Sequence, residues 1–332
     1  MKQKLYRWLQ DAWYKEMYIS SAFMPISMIY DDVIRFRAFL YRIGLKKKTK
    51  LAVPIVVVGN ITVGGTGKTP LILWMVQFLK QQGYKPGIIS RGYGGDAEIW
   101  PQWVDAQSNP ALVGDEAVLM AKHADCPIAV GPERVKAAQM LLEKSSCDII
   151  LSDDGLQHYA LERDIEIIVV DGQRRFGNGY VLPCGPLRES TERLHKVDLV
   201  IVNGDAEEEN EFSMMMEGDI AINLVTKEQK LLSDFNFIPS HALAGIGNPN
   251  RFFSLLENKN IKIEKHAFPD HYKFTLEDIS FNDDKAVLMT EKDAVKCFDF
   301  ATEKHWFVPV KAKPQQPFID KLLTLIKEKV RG

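Results

Sequence analysis

The residues from position 62 to position 69 have the types and order that can hold the phosphate groups of a nucleotide. They are Thr62, Val63, Gly64, Gly65, Thr66, Gly67, Lys68 and Thr69. Glycines let backbone N–H groups converge on phosphate oxygens, and the start of a helix adds a favourable dipole. Lys68 can reach the β- and γ-phosphates, and the Thr69 hydroxyl can ligate Mg²⁺. The first position is threonine where the usual pattern has glycine, so a glycine-rich turn formed by chance is the alternative.

Two adjacent carboxylates at the end of an apolar run can hold the metal ion that accompanies a nucleotide. The run Cys147–Asp154 has the pattern of a buried strand and ends in Asp153 and Asp154. This is the form of a Walker-B strand, whose acid holds Mg²⁺ beside the phosphates. A carboxylate at a strand end can instead belong to a turn or cap a helix. Together with the phosphate-binding pattern upstream, the run predicts Asp153 as a metal ligand, directly or through water.

Alternating strand and helix patterns surround both motifs and predict the elements that position them. The predicted strands of the first half are Val53–Gly59, Pro86–Ser90, Cys126–Val130, Cys147–Asp154 and Ile165–Val170, and its helices include Pro70–Gln82 and Glu133–Lys144. Repeated strand–helix units predict a mostly parallel sheet with helices on both faces. The fold class is therefore α/β, with a lobe like a P-loop NTPase. A second, smaller α/β lobe follows the glycine-rich joint Gly172–Gly179, and an acidic loop is predicted over Asp205–Glu211.

Length and charge restrict the class of protein further. The chain has 332 residues, which suggests two domains, and its 42 basic and 44 acidic side chains give a net charge of −2. An overall basic field for nucleic acid is therefore not expected. The four cysteines are scattered without a C-x-x-C pair, so their spacing predicts neither a zinc site nor a redox motif. No secretory signal is visible at the N-terminus.

The N-terminal residues 1–50 have the composition of a segment that lies on a membrane surface. Thirteen uncharged residues run from Tyr18 to Tyr30, which is too short for a membrane-spanning helix of about 20. An amphipathic pattern follows, and seven basic residues but no acidic one lie between Arg35 and Lys50. Such a helix fits the interface of an anionic membrane. A helix packed on the core of the protein itself is the alternative.

A series of motifs, in order from about residue 53 to residue 296, resembles the tetraacyldisaccharide 4′-kinases, the lipid A 4′-kinases of Gram-negative bacteria. The matching segments are Gly59–Asn60 with Gly64–Pro70, Ser90–Gly95, Val113–Glu116, Ser152–His158, Asp171–Gly179, Leu182–Glu189, Phe268–Tyr272 and Thr290–Lys296. Thr62 is no departure from the loop of this family. Cys184 stands where a small residue such as alanine is expected.

This resemblance implies transfer of the γ-phosphoryl group of ATP, with Mg²⁺, to the 4′-hydroxyl of a tetraacylated glucosamine disaccharide 1-phosphate. It implies a peripheral enzyme on the cytoplasmic face of the inner membrane, with no nucleic acid and no obligate protein partner. It also makes residues 1–50 a membrane anchor. The expected layout is a kinase domain over 51–176, a linker over 177–182 and a smaller domain over 183–315. A terminal helix over 316–332 can pack on the kinase domain.

The resemblance also implies roles for individual residues. Asp115, expected in a loop, accepts the proton of the sugar hydroxyl, and His271 orients it or relays the charge as the two lobes close. Arg188 and Lys68 neutralise phosphate charge. The predicted metal ligands are Thr69, Asp153 and Glu189, and the further site candidates are Glu116, Asp154, Arg91 and Asp270.

Two nucleotide-driven switches are the competing functions. A deviant-Walker ATPase that targets membranes has a similar loop, but carries a lysine before the glycine pair, where this chain has Val63. A GTP-driven switch usually carries N-K-x-D or T-K-x-D after a late strand. Here the corresponding segment is Thr290–Asp293, in which the lysine is displaced by one residue.

Overall fold

The structure is a computed structural model that describes residues 8–9, 11–14, 22–270 and 272–330. The chain divides into two compact units. The first comprises Met1–Met215 and Ala312–Gly332, and the second comprises Met216–Lys311. The second unit is therefore inserted between two parts of the first.

The described strands and helices alternate along most of the chain. The strands are β1 (Ile55–Gly59), β2 (Pro86–Ser90), β3 (Gln102–Val104), β4 (Ile128–Val130), β5 (Ile149–Asp153), β6 (Ile165–Asp171), β7 (Leu199–Asn203), β8 (Glu211–Glu217), β9 (Ile220–Asn223), β10 (Gln229–Leu231), β11 (Ser240–Ala244), β12 (Ile263–Ala267), β13 (Val287–Thr290), β14 (His305–Val308) and β15 (Lys311–Pro314). The helices are α1 (Met24–Arg42), α2 (Lys68–Gln81), α3 (Pro110–Val113), α4 (Asp115–Ala124), α5 (Arg134–Lys144), α6 (Pro249–Asn258), α7 (Leu276–Ile279), α8 (Glu291–Ala294) and α9 (Gln316–Val330).

The first unit is built on a sheet of nine described strands in the order β15-β8-β7-β6-β1-β5-β2-β4-β3. The pairings from β8 through to β4 are all parallel, and β3 pairs antiparallel with β4. Every residue of the central strands β1 and β5 is buried, as expected where helices cover both faces of a parallel sheet. This topology confirms the predicted α/β class. It also brings the carboxyl ends of the central strands to one edge of the sheet.

The described part of the second unit contains a smaller mixed sheet in the order β10-β9-β14-β13-β11-β12. Strands β14, β13, β11 and β12 run parallel, while β9 pairs antiparallel with both β10 and β14. Helix α6 buries Phe252, Phe253 and Leu256 in a core that includes Trp306.

The boundary between the two units differs from the predicted linker over 177–182. Strand β7 pairs parallel with β6, and β8 pairs parallel with β7, so both belong to the sheet of the first unit. The predicted acidic loop Asp205–Glu211 overlaps the first residue of β8, Glu211, whose Oε1 lies 2.7 Å from Arg175 Nη2. Helix α9 also lies in the first unit, with Phe318 fully buried and its ring 6.2 Å from that of Trp74 on α2.

Helix α1 leaves much of its apolar surface uncovered. One side holds the buried Ser27, whose hydroxyl oxygen accepts a hydrogen bond from the backbone N–H of Cys184 at 2.9 Å. The α1 apolar face, which we define as Ile26, Ile29, Val33 and Phe36, is between 55% and 65% exposed. Among the described residues, no helix combines the length and the apolarity that crossing a membrane requires.

Candidate active site

The segment between β1 and α2 is a glycine-rich turn whose shape depends on two glycines. Gly64 and Gly67 have φ angles of +102° and +101°, a region that side chains with a Cβ rarely adopt. Helix α2 begins at Lys68, two residues before the predicted Pro70, so the turn leads directly into the helix. The first N–H groups of a helix have no intrahelical partner and attract anions. The turn therefore has the form of a phosphate-binding loop.

Residues at the ends of neighbouring strands fix this loop from outside. The Asn203 side chain at the end of β7 donates a hydrogen bond to the Thr66 carbonyl at 3.0 Å. Arg174 donates to the Gly65 carbonyl at 3.1 Å, and its Nε donates to Asp171 Oδ2, at the end of β6, at 3.0 Å. These contacts occupy carbonyl oxygens and set the loop before any ligand binds.

Asn60 braces the loop from inside, a role that the sequence motifs did not predict. Its side chain is fully buried and donates to the Thr62 carbonyl at 2.8 Å and to the Gly64 carbonyl at 3.3 Å. Its Oδ1 accepts a hydrogen bond from Lys68 Nζ at 3.0 Å. One amide therefore holds both the loop and its lysine, and the signal for it was an asparagine directly after a buried strand.

Asp154 binds both Lys68 and Arg188, the two cations that we predict to neutralise phosphate charge. Lys68 Nζ lies 3.4 Å from Asp154 Oδ1, and Arg188 Nη1 donates to both Asp154 oxygens at 3.1 and 2.9 Å. Burial alone would raise the pKa of Asp154, but Lys68 and Arg188 outweigh it and hold that pKa well below its usual range. The backbone N–H of Arg188 also donates to the Ile61 carbonyl at 2.6 Å, which ties the arginine to the loop.

Asp153, the neighbouring carboxylate, forms no ion pair with another described residue, although the charge of Lys68 acts on it and lowers its pKa. It is buried, and its Oδ2 accepts a hydrogen bond from Ser90 Oγ at 2.9 Å. Within the part of the chain that the structure describes, its Oδ1 has no hydrogen-bond partner. Burial, followed by the like charge of Glu116, raises the pKa of Asp153 to about 6. A buried oxygen without a partner, in a field of negative charge, is a suitable ligand for a divalent cation.

Arg134 lies behind the two carboxylates and was not predicted as a site residue. Only 2% of it is exposed, and its Nη2 donates to the Asp153 carbonyl at 3.1 Å. Burial lowers its pKa to about 10. Burial, with the nearby charges of Arg134 and Arg91, also lowers the pKa of His158 to about 4, so this imidazole is neutral at neutral pH. Arg91 itself lies on the exposed loop after β2.

Asp115 is the first residue of helix α4 and not the loop residue that the sequence suggested. Gly114 precedes it with a φ of +93°, and a Cβ there would lie 2.4 Å from the Tyr93 carbonyl oxygen. Asp115 Oδ1 accepts a hydrogen bond from the Glu116 backbone N–H at 3.0 Å. Since Glu116 acts electrostatically on Asp153, the start of α4 faces the end of β5.

The remaining predicted residues of the site are Glu189, Asp270 and His271. The Glu189 carboxylate accepts hydrogen bonds from Gln157 at 2.7 Å and Tyr159 at 3.0 Å, and its role as a metal ligand stays a prediction. Asp270 belongs to the second unit, where Lys292 Nζ lies 3.3 Å from its Oδ1. His271 lies outside the described residues, so its pairing with Asp115 also stays a prediction.

Comparison with known proteins finds relatives that match most of this chain and share the name of one enzymatic activity. The family model of tetraacyldisaccharide-1-P 4′-kinase matches residues 19–327. The tetraacyldisaccharide 4′-kinase of Nitrosococcus oceani is 49% identical over 316 residues, which are 95% of this chain and 93% of the relative. That of Methylobacillus flagellatus is 46% identical over 325 residues, 97% of each chain.

The fold of the chain also matches that of a solved relative. The crystal structure of an "apo" form of LpxK from Aquifex aeolicus in complex with ATP superposes with a TM-score of 0.78. The two chains are 28% identical, and the match covers 94% of this chain and 99% of the other. Because the family match extends over both units and several relatives exceed 45% identity, the chain belongs to the tetraacyldisaccharide 4′-kinase family.

Proposed function

We propose that the chain transfers the γ-phosphoryl group of ATP to the 4′-hydroxyl of tetraacyldisaccharide 1-phosphate, a step of lipid A biosynthesis. The observation that carries this proposal is the meeting of the phosphate-binding loop, Lys68 and Asp153 at one edge of the parallel sheet. The names of the relatives supply the acceptor, and the ATP in the solved relative supports the donor. An ATPase switch is less well supported, because Val63 replaces the lysine of those loops.

The residues at the end of β5 fit Mg²⁺. Asp153 offers a buried oxygen with no hydrogen-bond partner in the described part of the chain, and carboxylate and hydroxyl oxygens suit this ion. We assign Asp153 and Thr69 to it, with Glu189 as a further candidate. When bound, Mg²⁺ neutralises charge on the phosphate oxygens.

The cations held by Asp154 neutralise the phosphate groups in our proposal. Phosphoryl transfer depends mainly on positioning and on charge neutralisation. Asp154 and Asn60 hold Lys68 beside the loop, and Asp154 also orients the guanidinium of Arg188. Both cations therefore point to the same place before the nucleotide enters, and less reorganisation accompanies the reaction.

Asp115 is our proposed acceptor of the hydroxyl proton. A sugar hydroxyl is a weak nucleophile, and a carboxylate near the phosphates can take its proton during transfer. Asp115 is the first residue of α4, and the charge of the following residue, Glu116, raises the pKa of Asp153. We propose that His271 orients this carboxylate or relays its charge.

We also propose that helix α1 attaches the enzyme to the cytoplasmic face of the inner membrane as a peripheral protein. The α1 apolar face is largely exposed, and basic residues follow it from Arg35 to Lys50. Acyl chains of a lipid substrate remain in the bilayer, so the enzyme has to work at that surface. An exposed apolar helix face with flanking cations is suited to an anionic interface.

Replacing Lys68 with alanine tests the proposed reaction. With radiolabelled ATP and the lipid acceptor, we expect the wild-type chain to form a product labelled at the 4′-position, and Lys68→Ala to lose at least about 100-fold in kcat. The control is Lys136→Ala, which removes an exposed lysine of the same unit and leaves kcat unchanged. ATP hydrolysis that does not need the lipid, or wild-type turnover in Lys68→Ala, would contradict the proposal.

Replacing Asp115 with asparagine tests the proton acceptor. We expect kcat to fall by about 10²–10⁴-fold while the Kd for ATP stays unchanged. A double variant with His271→Ala should be little slower than either single variant, since groups that act as a unit give non-additive losses. Glu143→Gln, at an exposed acid on α5, is the matched control. Fully additive losses would exclude the pair.

The raised pKa of Asp153 gives a prediction about stability and pH. Folding raises this pKa from 3.8 to about 6, so the fold loses stability as the pH rises from 3.8 to about 6, and the full cost of ionised Asp153 is present above that range. Asp153→Asn removes the charge. Without Mg²⁺ or nucleotide and above pH 7, we expect this variant to have a free energy of unfolding, measured by urea denaturation, that is higher than that of the wild-type chain by up to about 3 kcal/mol. The gain should vanish near pH 4, and kcat should be lost. The control Asp299→Asn, at an exposed residue, should change neither the free energy of unfolding nor kcat. If Asp153→Asn is no more stable than the wild-type chain at pH 8, the raised pKa of Asp153 is wrong.

Polar substitutions on the α1 apolar face test the membrane attachment. We expect Ile29→Gln with Phe36→Gln to weaken binding to anionic phospholipid vesicles at least about 10-fold in sedimentation, since each side chain loses its transfer free energy. Phe237→Gln, at a 92% exposed phenylalanine of the second unit, is the control and should bind as the wild-type chain does. Equal sedimentation of all three proteins would place the attachment elsewhere.

A further inference from the structure

Two histidines and a glutamate meet on one face of the sheet of the second unit. Strands β11 and β12 are parallel neighbours, and their register sets His241 opposite Glu264. His266 lies two residues beyond Glu264, so its side chain projects from the same face. In the part of the chain that the structure describes, this is the one group of three such side chains whose ligand atoms all lie within 4.8 Å of one another.

The distances within this group are those of ligands that share an ion. His241 Nδ1 lies 3.0 Å from His266 Nε2 and 3.6 Å from Glu264 Oε2. Zinc binds nitrogen and oxygen ligands at about 2.0–2.2 Å in a tetrahedron, which puts neighbouring ligand atoms about 3.3 Å apart. Small side-chain rotations therefore suffice to place all three atoms around one ion. A hydrogen bond between the two imidazoles is the arrangement without metal.

The surroundings of His241 resemble those of a metal-bound imidazole. Its second ring nitrogen, Nε2, lies 3.2 Å from each carboxylate oxygen of Asp283. If Nε2 carries the proton and donates a hydrogen bond to Asp283, Nδ1 is unprotonated and can bind a metal ion. Metal-bound histidines usually donate their other N–H to such a carboxylate. The ring of Phe281 stacks on His241, with centroids 3.8 Å apart, and shields one side of the group.

The group can be reached from solvent. Glu264 is 60% exposed, and a pocket of about 490 Å³ is lined by Phe281, Asp283 and Lys285, which contact the group. Lys285 Nζ lies 3.5 Å from Glu264 Oε2 and 3.0 Å from Asp283 Oδ2. When no metal is bound, the Lys285 ammonium compensates the negative charge of both carboxylates. Its flexible side chain can move away when a metal ion takes over that role.

We propose that His241, Glu264 and His266 form a binding site for Zn²⁺ or a similar divalent transition metal, separate from the Mg²⁺ of the proposed kinase reaction. Two imidazole nitrogens and one carboxylate oxygen select such an ion over Mg²⁺, which prefers oxygen ligands. The ion joins β12, at the edge of its sheet, to β11. Strand β12 ends at Ala267, shortly before the predicted His271, so the ion anchors the strand that leads to that segment.

Metal titration of the full-length, metal-free chain tests this proposal. We expect calorimetry to give one Zn²⁺ per chain, and Co²⁺ to develop the visible absorption of tetrahedral coordination. His266→Gln and Glu264→Gln should each weaken binding at least about 10-fold and abolish the Co²⁺ spectrum, and Asp283→Asn should weaken it about 10–100-fold. His195→Gln, at an exposed histidine of the first unit, should bind as the wild-type chain does.

Two results would overturn the metal site. One is a wild-type chain that takes up no Zn²⁺, which would leave a pair of hydrogen-bonded imidazoles. The other is unchanged affinity in both His266→Gln and Glu264→Gln. Because Glu264 is largely exposed, its substitution leaves the fold intact, and circular dichroism of each variant separates loss of the site from loss of structure. Neither readout depends on kinase activity.

Discussion

A buried carboxylate and a half-buried one, adjacent in sequence, cannot both stay ionised without positive charge beside them, and the centre of the first unit is arranged around this constraint. Asp154 is compensated by Lys68 and Arg188, and its pKa stays low. Asp153 forms no ion pair with another described residue, and burial and the like charge of Glu116 outweigh the effect of Lys68 and raise its pKa to about 6. The protein thus compensates one charge with its own cations, and in our proposal a cation from solution compensates the other. Arg134 donates to the main-chain carbonyl of Asp153 and not to its carboxylate, whose Oδ1 has no hydrogen-bond partner among the described residues.

The parallel sheet positions the polar side chains that surround the phosphate-binding loop and the two carboxylates. Five polar residues lie at or just after the carboxyl end of a strand: Asn60, Ser90, Asp153, Asp171 and Asn203. Asn60 and Asn203 hold the loop, Asp171 holds Arg174, and Ser90 donates a hydrogen bond to Asp153. Parallel strands place those ends at one edge, so residues far apart in sequence become neighbours. Metal and phosphate chemistry of this kind needs side chains fixed in advance, and strand ends are rigid supports for them.

The sequence was sufficient where the signal is local. Apolar runs predicted β1, β2, β4, β5 and β6, but not the short edge strand β3, and the glycine spacing predicted the phosphate-binding loop. Both kinds of pattern depend on neighbouring residues. The division between the two compact units depends on the pairing of β7 with β6 and of β8 with β7, which no local pattern in the sequence reveals. Arg134 was missed for the same reason: nothing near it in sequence marks a buried arginine. Asn60 was passed over because an asparagine after a strand is also an ordinary turn residue.

The insertion of the second unit affects the order in which the protein can be made. A ribosome completes β8 and then roughly a hundred residues of the second unit before β15 and α9 emerge, a delay of about 5–20 seconds. During that time the nascent sheet has an unpaired edge at β8, and the core lacks Phe318, Leu322 and Ile326, which are fully buried in the finished fold. Unpaired edges and uncovered apolar surface favour aggregation. We therefore expect the growing chain to be prone to aggregation until β15 and α9 complete the first unit.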